Sequence, residues 1–184
     1  MSWEKEPLWV KSKFFMEKAF SGPRDESDFG LWCSFGLETL ARAAVASVSP
    51  ALLAEPDREQ KNVLYALGRP ADRAPAKSLS TSQVFILCQK LFADFTPNHM
   101  QSAIALLNRR NEELHTGTAA FDQYPMQQWI VGFYRCCSVL SAELGEELGS
   151  LLGDEQSEIA EQLLTESETE VKQKVERRSA AHRN

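Results

Sequence analysis

The chain has 184 residues, 43% hydrophobic and 25% charged, with a formal net charge of −6. That length suits one domain with a real core. The acidic balance excludes a sequence-blind nucleic-acid coat, which needs a broad basic face, but leaves room for a small basic pocket.

Residues 3–20 carry Trp3, Leu8, Trp9, Phe14, Phe15, Ala19 and Phe20 among lysines and glutamates. Their spacing predicts an amphipathic first helix. SGPRDES (21–27) predicts a turn, with Ser27 or Asp28 as the N-cap of a second helix. Residues 29–48 are apolar on nearly every side, the pattern of a helix central to a bundle. Pro50 ends that helix or lies just past its end. Residues 51–68 predict a short helix or two, and RPADRAPAKS (69–78) an exposed loop.

Ser80, Thr81 or Ser82 is expected to cap a helix running through Phe95, with Val84, Phe85, Leu87, Cys88, Leu91 and Phe92 as its core stripe. Thr96-Pro97 restarts the chain, Thr at the N-cap and Pro at the first helical position. The next helix carries Met100, Ala103, Ile104 and Leu107 into NRRNEELHTG, where Gly117 is expected to stop it. A helix of about 20 residues is predicted after Pro125, from Met126 to Leu144. From residue 154 the chain is highly charged, with only Ile159, Leu163, Leu164, Val171 and Val175 as larger apolar residues. This reads as an exposed helix, a weak coiled-coil segment, or a lead into a further C-terminal region, and as dispensable for folding.

No apolar–polar alternation, strand–turn pair or internal repeat is present. The expected architecture is all-α, a bundle of five or six helices over residues 1–153 with the charged tail 154–184 after it. MSWEKEPLWVKSKFF lacks the apolar run of a signal peptide. No stretch reaches 18 uncharged apolar residues, so a cytoplasmic protein without a membrane span is expected. Cys33, Cys88, Cys136 and Cys137 form no CxxC pair and sit in apolar stretches, which predicts buried free thiols rather than metal ligands. GEELGSLLG (145–153) lacks the Lys-Ser/Thr ending of a phosphate loop. The Trp and Phe residues are spaced like core rather than like base-stacking platforms. No cofactor or metal is implied.

Three histidines remain. His182 lies in the charged tail, and His99, in a first helical turn, reads as plain surface. His115 ends the run Arg109-Arg110-Asn111-Glu112-Glu113-Leu114-His115. Asn111 and His115 are four apart and share a helix face, so the amide can fix the imidazole tautomer. Arg110 and His115 are five apart, roughly 140° around an ideal helix. They converge only if the helix loosens at Leu114–Gly117 or if Arg110 reaches a neighbouring subunit. Arg109 faces elsewhere, towards Glu112 and Glu113, as a salt-bridge former. The purely structural reading has Arg110 paired with an acid and His115 capping a helix C-terminus, where a cation is favoured. Glu38 and Arg42 are spaced for a salt bridge along one helix, or for one of them to support the Arg110–His115 site from behind.

Arg110-Asn111, three residues, then His115 resembles the motif of the HEPN superfamily. ETLARAAV, with Glu38 and Arg42, resembles the second helix of HEPN-type proteins. The resemblance spans about residues 29–145. It implies a homodimer in which two motifs face each other, with RNA cut without a metal in toxin–antitoxin, phage-defence or CRISPR-linked settings. Its alternative is a non-catalytic module that docks a sensor, transferase or antitoxin. The residue types suit the chemistry: a histidine, which titrates near pH ~6.5 when unperturbed, can move protons, and an arginine can stabilise charge on a pentacovalent phosphorus.

Overall fold

The computed structural model describes residues 3–24, 27–69 and 76–181. Among them every regular element is a helix: α1 (Lys5–Phe20), α2 (Ser27–Val48), α3 (Lys61–Ala66), α4 (Thr81–Leu91), α5 (Pro97–His115), α6 (Ile130–Glu143), α7 (Leu148–Leu152) and α8 (Asp154–Ala181). Six are longer than ten residues, and α3 and α7 are short. Strand-like pairing among the described residues is limited to one isolated bridge between Ala54 and Ser78. The all-α bundle arises from a chain whose apolar residues recur at helical spacing and nowhere alternate.

Helix α2 is the axis of the bundle and packs against α1, α4, α5 and α6. Cys33, Leu37, Leu40, Ala41, Ala44 and Val45 along it are all at most 1% exposed. Small residues let its neighbours close in. A Cβ on Gly36 would stand 2.7 Å from both Sδ and Cε of Met16 on α1, and the Ser12 hydroxyl donates to the Gly36 carbonyl at 2.8 Å. The same crossing therefore packs the two helices closely and satisfies a buried hydroxyl.

Several boundaries differ from expectation, each for a local reason. Helix α2 already includes Ser27, which puts Asp28 in its first turn instead of at the cap. Pro50 begins a 3-10 turn (Pro50–Leu53) capped by the Ser49 side chain. Helix α4 has Ser80 as its cap, with Gln83 reaching back to the Ser80 N–H. It stops at Leu91, short of Phe95: Phe92 is extended, and the chain turns so that Phe92 and Phe95 are both buried. Leu91, expected in the core stripe, is 37% exposed. Met126–Gln128 forms a 3-10 turn ahead of α6. Part of the expected 69–78 loop, residues 70–75, lies outside the described residues. The segment after it is held by Asn62, whose amide donates to the Glu55 carbonyl and accepts from the Lys77 N–H, both at 2.8 Å.

The charged tail does not behave as one piece. In the first half of α8, Ala160 is fully buried and Leu163 and Leu164 pack against the core. Arg24 Nη2 donates to Gln156 Oε1, and Arg135 Nη2 donates to the Ser167 hydroxyl at 2.9 Å. Farther on, Val171 is 53% exposed. The break at residue 153 is a true helix boundary, but the packed body continues past it to about Ser167.

Candidate functional site

The outer stripe of α2 runs Trp32, Phe35, Glu38, Arg42, at helical steps of three and four. Its lower half meets α5 and the start of α4. Glu38 Oε1 accepts from Arg42 Nε at 3.0 Å and from Arg42 Nη2 at 2.9 Å. Its other oxygen, Oε2, accepts from Arg110 Nη2 at 3.0 Å. Arg42 also donates to Ser78 Oγ at 3.3 Å and to the Leu79 carbonyl at 3.0 Å. Arg110 reaches Thr81 Oγ1 at 3.4 Å, and its guanidinium lies 5.4 Å from the centre of the Phe35 ring.

This cluster is shielded from water. The side chains of Arg42 and Arg110 are 14% exposed and that of Glu38 17%. One carboxylate serves two guanidinium groups, so the three side chains keep a net positive charge. Arg110 Nε is buried without an acceptor among the described residues, a donor whose desolvation is uncompensated. Glu38 is thus the partner of Arg42 along α2 that its spacing predicts, and it also holds Arg110. Thr81, Ser78 and Phe35 complete the surroundings and were not foreseen, because the segments that bring them in are distant in sequence.

The remaining motif residues lie apart. Arg109 pairs with Glu112 at 2.8 Å and sits 5.1 Å over the Tyr124 ring, the salt-bridge role expected of it. Glu113 turns to the loop beyond α5, where its carboxylate accepts the Ala120 and Phe121 N–H groups. Asn111 and His115 are exposed. The expected bond between them is not made, and neither forms a side-chain hydrogen bond with any described residue. Helix α5 stays regular to His115 and ends through Thr116, whose hydroxyl donates to the Glu112 carbonyl at 2.8 Å and accepts from the Thr118 N–H at 3.1 Å. Gly117 is therefore not the stop, and the loosening that would let Arg110 and His115 converge within one chain does not occur.

The other described histidine sits at the opposite end of α5. His99 Nδ1 accepts from the Thr96 N–H at 3.1 Å and contacts the Thr96 hydroxyl at 2.8 Å. Its ring stacks on Phe95 at 5.6 Å. Burial, then the Arg135 charge, lower its pKa, and Asp94 opposes them weakly. Because Nδ1 accepts a backbone N–H, the neutral ring carries its proton on Nε2. His99 is a capping residue, not free surface. His182 lies outside the described residues.

The four cysteines are buried and free. Burial pushes the Cys88 thiol up to about 12 and raises the other three as well, so they lack the thiolate that nucleophilic chemistry requires. Among the described residues no group of three or more His, Cys, Asp or Glu is arranged to hold a metal ion, and no helix is long and apolar enough to cross a membrane. Comparison with family models, with curated proteins and with solved structures gives no match.

Proposed function

We propose that this chain is a metal-independent endoribonuclease of the HEPN type, working as a homodimer on RNA in a toxin–antitoxin or phage-defence setting. The observation that carries the reading is the contrast at the end of α5: a cation held in place by Glu38, and within five residues of it an exposed amide and an exposed imidazole that the fold does not use. One chain supplies one proton-transfer group, and cleavage needs two. An isologous two-fold contact doubles the set with a single surface patch.

In the paired site, His115 of one subunit takes the proton of the ribose 2′-hydroxyl as that oxygen bonds to the adjacent phosphorus. The bond from phosphorus to the 5′-oxygen breaks, and His115 of the partner subunit gives that oxygen its proton. The products are a 2′,3′-cyclic phosphate and a free 5′-hydroxyl. Arg110 carries charge to the pentacovalent phosphorus and stays protonated throughout. Asn111, unbonded to His115 within one chain, orients the imidazole only in the paired site. DNA, without the 2′-hydroxyl, resists.

One observation favours a second reading. Glu38 already partly neutralises Arg110 inside a shielded cluster, as in a module that pairs and docks a sensor or antitoxin protein without cutting. The test separates the two. Light scattering should give twice the 20.7 kDa of one chain. Single-stranded RNA should be cut in EDTA with cyclic-phosphate ends, and the activity should vanish in His115→Ala. A folded dimer that leaves RNA intact establishes the docking reading, and a monomer removes the composite site altogether.

A further inference from the structure

Four aromatic rings form a continuous row from the surface inward: Phe14 is exposed, Phe15 and Phe35 are half-buried, and Trp32, also half-buried, packs against the core. On α1, Lys11, Phe14, Phe15 and Lys18 share the outer face, at steps of three, four and seven. On α2, Trp32 and Phe35 face them. Phe14 lies 5.7 Å from Phe15. Phe15 stacks on Trp32 at 5.9 Å and meets Phe35 at 5.6 Å. Phe35 in turn lies under the Arg110 guanidinium. The row therefore leads from open solvent, where Phe14 is 49% exposed, to the edge of the Glu38–Arg110 cluster.

Cations line it. Lys11 Nζ stands 5.7 Å over the Phe15 ring and Lys18 Nζ 5.5 Å over the Phe14 ring. The third lysine of this stretch, Lys13, turns away to the Trp9 ring, so the row carries two lysines in a chain that is acidic as a whole. Aromatic faces interleaved with positive charge suit a polyanion whose units each carry a π face. A second copy of this chain fits less well. Pairing the face with itself would bring both sets of lysines together and strip them of water without matching acids.

We propose that Phe14, Phe15, Trp32 and Phe35 form a stacking row for the unpaired bases of single-stranded RNA, threading the strand towards Arg110. The identity of the ligand as RNA rests on the ribonuclease reading above; the row itself rests on the rings and the lysines. Its specificity is for unstacked bases of any sequence, because every base has a π face and three of the four rings carry no polar atom. Duplex RNA, with its bases stacked inside, is excluded.

The test is binding of a labelled, short single-stranded DNA oligonucleotide to the full chain, monitored by anisotropy. DNA keeps the bases and the phosphates but lacks the 2′-hydroxyl, so the proposed cleavage does not consume the probe. Phe14→Leu, which keeps apolar bulk and removes the ring, should raise Kd about tenfold. Phe14→Trp should bind at least as well as the parent. Lys18→Gln should lower the slope of log K against log salt by about one. Phe14 is exposed, so neither variant threatens the fold. Failure of the parent to bind the oligonucleotide, or equal binding by Phe14→Leu and Phe14→Trp, overturns the row. A change of oligomeric state in Phe14→Leu overturns it in favour of a self-interface. RNA cleavage by the same proteins is read separately. Cutting with no effect of Phe14 sinks the row and spares the nuclease; Phe14-dependent binding without cutting sinks the nuclease and spares the row.

Discussion

The two ends of α5 carry the same residue type to opposite effect. At its first turn, His99 is bonded to Thr96, stacked on Phe95 and shifted towards its neutral form. At its last turn, His115 is exposed and unengaged. The difference comes from what each helix end lacks. The N-terminus leaves N–H groups without partners, and an imidazole nitrogen can accept from one. The C-terminus leaves carbonyls, which an imidazole can meet only by donating, and the His115 side chain bonds to none of them. A histidine with a local partner is accounted for by the fold. One without a partner, at the end of the helix that carries an anchored arginine, is where chemistry is worth testing.

The sharpest way to break this contrast is to remove each ring in turn. His115→Ala is expected to lower RNA cleavage by about 10²–10⁴-fold while shifting stability by less than about 0.5 kcal/mol. His99→Ala should do the reverse, leaving cleavage within a few-fold and weakening the fold by about 1 kcal/mol through the lost cap. Equal loss of cleavage in both variants would mean that the two ends are not functionally distinct.

The next largest effect lies behind the C-terminal end. Glu38→Ala leaves two shielded guanidinium groups without their carboxylate, at a cost of about 3 kcal/mol by urea unfolding. Replacing Arg110 in the same background should restore part of that loss, since one of the two unpaired charges goes with it. If Glu38→Ala unfolds like the parent, the cluster is open to water and Arg110 is not anchored.

A third effect concerns α8. Ending the chain after Gly153 exposes the surface under Ala160, Leu163 and Leu164 and should cost about 2 kcal/mol or more. Ending it after Glu170 should cost almost nothing, because Val171 is already exposed. Equal melting temperatures for the two truncations would return the whole tail to the dispensable role that its composition suggests.

That tail also marks where sequence reading runs out. Periodicity locates the helices well, because burial of an apolar stripe is what makes each of them form. It misjudges α8 because a helix docked by one alanine and two leucines looks, in composition, like one that touches nothing. It places the end of α4 four residues too far because Phe92 and Phe95 are buried by a turn as well as by a helix. At the site, the Glu38–Arg42 pair is legible from its spacing of four. The Glu38–Arg110 contact, 72 residues apart, depends on α2 crossing α5, which no local pattern encodes. Phe14 reads as core in the sequence and is exposed, because spacing tells which residues share a face, not whether anything covers it.

The smallest effect tests the N-terminal end by acid. Protonating His99 must break the Thr96 N–H bond to Nδ1 and place a cation near Arg135, with burial adding to the penalty. The folded chain therefore binds this proton less readily than the unfolded chain does. Stability from this group is complete above about pH 6.5, the unfolded value, and falls as pH drops below it towards the lower folded value. Gln83 performs the same reach-back at the start of α4 through a side chain that does not titrate. His99→Gln should accordingly keep the cap, leaving the urea midpoint at about pH 7.5 nearly unchanged, and should shrink the decline below about pH 6.5. The urea midpoints of parent and His99→Gln, read across pH, isolate the bonded ring. If His99→Gln declines with acid as steeply as the parent, His99 does not titrate against its cap, and the contrast between the two ends of α5 loses its electrostatic half.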